Sequence, residues 1–190
     1  MKILQRISAI LAFCSIVTFT SFTNAQAVQV CDMDAYTLYK ETRILLFLAS
    51  QKYVCQDLKY IGKMSPESPY DLYTFVVKPT ERFSTDSAVV SFFCNGAGYI
   101  SKITVMTDDT KQNSSKDMEQ VTISMLVLMG VSQSEFYTLF SEKNKHFSNG
   151  TTYRDIWVTK LNRRIIMEFR IDTTENGART AVTRLTATDI

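Results

Sequence analysis

The chain has 190 residues, with 21 basic and 19 acidic side chains, one histidine and four cysteines. Nearly balanced charge excludes the strongly basic face of a nucleic-acid binder and gives no pull toward an acidic membrane surface. One histidine with scattered cysteines makes no zinc signature, and no carboxylate spacing approaches a calcium loop, so no metal or other cofactor is indicated.

Residues 1–27 read as a cleaved signal peptide. Lys2 and Arg6 form a short positive region, Ile7 to Phe22 carries no charge, and Ala25-Gln26-Ala27 supplies small residues for the peptidase. The apolar run is shorter than the ~20 residues of a spanning helix, and Ser and Thr interrupt it. Cys14 and Cys31 follow Phe13 and Val30, where a lipidation site needs a small residue. Cleavage after Ala27 leaves residues 28–190 as a single secreted or periplasmic domain, within the usual ~100 to 200 residues. Lys2 and Arg6 account for the whole excess of positive charge, so the mature chain is neutral apart from His146.

Cys31, Cys55 and Cys94 survive cleavage. In an oxidising compartment an odd count implies one bridge with a spare thiol, or a bond between chains; otherwise all three act as small buried hydrophobes. Residues 34–54 read as a helix with Leu38, Leu45, Leu48 and Ala49 on one face, Lys40 and Arg43 away from it, and Asp32 or Asp34 as its cap. Such a helix is about 30 Å long, which keeps Cys31 from Cys55. Cys94 can meet either of them, and Cys55–Cys94 is the preferred pair.

KMSPESPY reads as a proline-marked loop, and Leu72 to Lys78, Ala88 to Cys94 and Tyr99 to Met106 as strands, the last two joined through Asn95-Gly-Ala-Gly98. A polar connection leads to a helix from Ser114 or Ser115, apolar nearly all round over Val121–Met129 and stopped by Gly130. Ser132-Gln-Ser-Glu135 is a capping box with Val131 and Phe136 as its hydrophobic staple, so a second helix runs from about Gln133 to Glu142. KNKHFSNGT reads as a polar loop containing one of two glycosylation-type sequons, at Asn113 and Asn149. Thr152 to Lys160 and Arg163 to Ile171 form a second hairpin, and residues from about 173 a partly ordered tail. The expected fold is α+β: an antiparallel sheet of about five strands with helices packed on one face, in the order α-βββ-αα-ββ.

That plan leaves one sheet face open to a partner. Strand parity puts Ile165, Met167, Phe169 and Ile171 in the core and Arg164, Ile166, Glu168 and Arg170 on the opposite face. On the preceding strand Tyr153, Asp155, Trp157 and Thr159 share the outer side. Trp, Tyr and Arg dominate interface hot spots, so Tyr153, Trp157, Arg164 and Arg170 are the candidate binding residues. The bland alternative packs Trp157 under a loop. These residues suggest an exported non-catalytic module, of envelope-assembly or inhibitor-like kind, that binds a protein or peptide and no nucleic acid. Two rivals differ in class. A small hydrolase would use His146 as base for Cys94 or a serine, although an exposed loop histidine is the ordinary reading. An apolar-ligand carrier would open a pocket between Met-rich and Phe-rich layers.

Overall fold

The computed structural model describes residues 29–50, 53–80, 87–108, 114–139, 141, 145–158 and 163–188. Three helices occur among them, α1 (Ala35–Ser50), α2 (Ser114–Leu128) and α3 (Gln133–Leu139). Nine strands join one antiparallel sheet: β1 (Tyr53–Cys55), β2 (Lys59–Lys63), β3 (Asp71–Pro79), β4 (Ala88–Cys94), β5 (Ile100–Asp108), β6 (Lys145–Ser148), β7 (Thr151–Val158), β8 (Arg163–Thr173) and β9 (Arg179–Thr188). Their spatial order is β1-β3-β4-β5-β9-β8-β7-β6, with β2 also paired to β3. The expected α+β plan of five strands with helices packed on a face is therefore wrong. The molecule is mostly antiparallel sheet.

Four strands escaped the sequence reading, each for a physical reason. β1 and β2 are short, and Gly62 at φ 104° bulges β2 out of simple alternation. β6 was hidden inside a polar segment, yet Asn149 (φ 48°) and Gly150 (φ 73°) are both left-handed. That is the Asn-Gly turn that closes a two-residue hairpin between β6 and β7. β9 replaces the expected tail and pairs with both β5 and β8. Its small and hydroxylated residues, Thr180, Ala181, Thr183 and Thr186, gave it the look of a coil although it lies at the centre of the sheet.

The topology is a two-fold repeat in outline. β3-β4-β5 is one meander and β7-β8-β9 another, each preceded by helix and then short strands (β1 and β2, or β6), and their third strands meet antiparallel at β5–β9. Alternate residues of both halves, among them Phe75, Val90, Phe92, Ile103, Val105, Leu185, Ile165 and Met167, join one apolar cluster with Leu38 and Leu46 of α1 and Val121, Met125 and Leu126 of α2. On the other parity Leu72, Phe93, Met106 and Val182 are also buried, and Lys102 Nζ stands 3.7 Å over the Phe93 ring.

Helix boundaries follow the caps. Asp34 Oδ1 accepts the Tyr36 and Thr37 amides at 2.9 Å and Asp34 Oδ2 accepts the Thr37 hydroxyl, which starts α1. Those Thr37 bonds hold the Asp34 carboxyl below its ordinary range. The buried stripe of α1 is Ala35, Leu38, Tyr39, Thr42 and Leu46, with Leu48 exposed. The polar Thr42 in this stripe is what shifted the face read from apolar residues alone. α2 ends in a Schellman motif, Val131 N–H donating to Leu126 O and Gly130 N–H to Val127 O, with Gly130 at φ 88°. The capping box of α3 is formed: Glu135 N–H donates to Ser132 Oγ at 3.3 Å, and Ser132 N–H to Glu135 Oε2 at 2.7 Å.

Candidate interaction face

The β6–β9 half of the sheet sets its side chains by register. Pairings of His146 with Tyr153, Tyr153 with Glu168, and Glu168 with Arg184 run four strands across in a single row. Alternation along β8 places Arg164, Ile166, Glu168, Arg170 and Asp172 on this same side. Opposite them, Ile165 and Met167 are buried and Phe169 packs partly buried against the core, as parity required. Ile171, expected inside, is exposed instead, near the end of β8 where it pairs with Ala181.

Charge on this face is paired. Arg184 Nη1 donates to Glu168 Oε2 at 2.9 Å, Arg170 Nε lies 3.0 Å from Asp172 Oδ1, and Arg164 forms an ion pair with Asp155. Glu168 and Arg184 are mostly shielded, whereas Arg164 is exposed. The inner pair therefore costs more to break than the outer one, since water screens an exposed ion pair to ~0 to 1 kcal/mol. Arg184 Nε is buried and makes no hydrogen bond, which adds to the penalty of losing Glu168.

Of the four sequence candidates, Tyr153, Arg164 and Arg170 fall on this one face, Tyr153 half-buried at its centre. Trp157 is placed by its backbone opposite Arg164, and its side chain lies outside the described residues. Cys55 and Cys94 are not brought together: Cys55 pairs with Val77 and Cys94 with Asp71, so about 20 Å of β3 separates them. Cys31, Cys55 and Cys94 are buried and unbridged. His146 is exposed on β6 rather than in a loop. Five strand spacings, roughly 20 to 25 Å, separate it from Cys94 on β4, so that pair forms no catalytic couple.

A second polar cluster went unread in the sequence. Tyr60 OH donates to Asp71 Oδ1 at 2.9 Å, and the Tyr60 and Tyr73 rings lie 5.1 Å apart. The Asp71 bond keeps the Tyr60 phenol protonated and raises its pKa. Its local mark is the β-prone pair Tyr60-Ile61, cut short by Gly62. No group of three His, Cys, Asp or Glu able to hold a metal occurs among the described residues, and no described helix is long and apolar enough to cross a membrane. Compared with known protein families, with curated proteins and with solved structures, the chain matches none.

Proposed function

We propose that the chain is an exported, non-catalytic binding protein that engages a protein or peptide through the β7–β8–β9 face. One observation carries the reading: the row of Tyr153, Glu168 and Arg184 lies between the Arg164–Asp155 and Arg170–Asp172 pairs, so an aromatic and three guanidinium groups share a fixed surface. Arginine forks held by neighbouring carboxylates are already oriented, which lowers the ordering cost of recognising a polar partner. Tyr153 adds an apolar body with a hydrogen-bonding tip. The charge-free run from Ile7 to Phe22 followed by Ala25 and Ala27 supports export, with Val28 as the mature N-terminus.

The test is a quantitative pull-down from envelope or culture-fluid extract with the wild type, Tyr153→Ala and Arg164→Ala. A partner recovered with the wild type should fall by at least about tenfold with each variant. The thermal midpoint of Arg164→Ala should stay near that of the wild type, because its ion pair is exposed. Undiminished recovery with both folded variants would overturn the assignment of this face.

A further inference from the structure

The segment before α1 is tied to the same end of the sheet as Cys94. Val30 N–H donates to the Ile100 carbonyl at 2.8 Å, and Ile100 is the register partner of Cys94. Three residues past Cys31, Asp34 forms an antiparallel bridge with Tyr99, whose carbonyl accepts the Asn95 amide next to Cys94. Cys31 is thus held between two backbone attachments, both to the β-hairpin that carries Cys94. All three cysteines are buried in the apolar cluster, and of them Cys31 and Cys94 are the two tied to Ile100 and its hairpin. Arg163 adds a third tie, donating to the Gln29 carbonyl at 2.7 Å and pairing with Asp32 at 3.2 Å.

We infer that Cys31 and Cys94 form a disulfide that latches the N-terminal segment of the mature chain onto β4. Cys55 is excluded by its place at the far end of β3. A disulfide needs Cα atoms about 4.4 to 6.8 Å apart. Cys31 precedes the first helix and belongs to no strand, so bridging asks the segment around Cys31, whose thiol donates to the Met33 carbonyl at 3.5 Å in the reduced form, to adjust rather than β4. The reaction is thiol–disulfide exchange with a small-molecule or protein disulfide. Two S–H bonds and the donor's S–S bond are lost, the Cys31–Cys94 bond forms, and the donor leaves as two thiols carrying both protons and both electrons. Burial, with the charges of Asp71 and Cys31 behind it, pushes the Cys94 thiol up to about 12, and burial pushes Cys31 up to about 11. Both are therefore poor nucleophiles in the closed reduced state, and exchange proceeds while the segment is open, before or during folding. The bond's persistence in the cell rests on the export proposed above, but its formation in vitro does not.

The experiment refolds the purified chain in a buffer of oxidised and reduced glutathione, alkylates remaining thiols under denaturing conditions, and maps peptides without reduction. The expected product links Cys31 to Cys94 and carries the alkyl label on Cys55, and Cys55→Ala gives the same link. Reduction with dithiothreitol should then lower the thermal midpoint by roughly 10 °C in both proteins. Recovery of Cys31 and Cys94 as alkylated thiols, or a link through Cys55, overturns the inference. Failure of export would show separately, as Met1 retained on the cellular protein.

Discussion

Single side chains divide into those that parity and burial fix and those that only register reveals. Phe92 is fully buried, with its ring 5.5 Å from that of Phe75, so Phe92→Ala should cost about 3 to 5 kcal/mol. Phe169→Ala should cost clearly less because Phe169 is only partly buried, and urea denaturation of the two variants checks the difference. The thiols give a pH dependence with a definite sign. Burial raises Cys31 and Cys55 to about 11 and Cys94 to about 12, against an ordinary value near 9. A raised folded pKa stabilises below the unfolded value, so this contribution is present below pH ~9 and lost as pH rises through ~11 to 12. In reducing buffer, urea midpoints should fall between pH 8 and 11, and less steeply for Cys55→Ala than for the wild type. The inward residues of β8 were legible from alternation alone. The thiol neighbours were not, because Cys31, Cys55 and Cys94 meet the sheet through hydrogen bonds and registers that sequence spacing does not encode.

At the scale of elements, local chemistry read well wherever the signal was short-range. The Ser132–Glu135 capping box, the Gly130 stop and the β3, β4, β5 and β8 cores all appear close to their expected positions. What failed was context. Leu48 sits at helical spacing with Leu45, yet the face of α1 that turns inward includes Thr42, and Leu48 is left exposed. Lys145–Ser148 is polar, yet the Asn149-Gly150 turn folds it onto β7. Two substitutions separate these cases. Ser132→Ala removes a cap from α3 and should cost about 1 kcal/mol. Gly150→Ala meets no neighbour within 4 Å but forces a side chain into φ 73°, so it should cost on the order of 1 kcal/mol through backbone strain alone. Amide exchange on β6 should then accelerate in Gly150→Ala and not in Ser132→Ala.

For the whole molecule the decisive feature is the β5–β9 seam, where the two meanders become one sheet. Ile103 on β5 faces Leu185 on β9, and both are fully buried. Leu185→Ala should lower stability by about 2 to 5 kcal/mol and speed amide exchange in β4 and β8 together, since each half loses the partner that completes its core. Exchange changes confined to β8 would show that the halves unfold separately. The order α-βββ-αα-ββ read from the sequence lacks the strand that closes the sheet, because long-range pairing of a Thr-rich and Ala-rich segment leaves no local mark. The same seam carries Arg184 to Glu168, so the packed core and the proposed binding face share one scaffold. The direct test of that face is site-specific photo-crosslinking in the producing cell, with the reactive residue placed at Tyr153 or, as a control, at the exposed Val127 of α2. Binding through this face gives a discrete protein adduct at position 153 that Arg164→Glu abolishes, and none at position 127; equal adducts at both positions, or an adduct at 153 indifferent to Arg164→Glu, would rule it out.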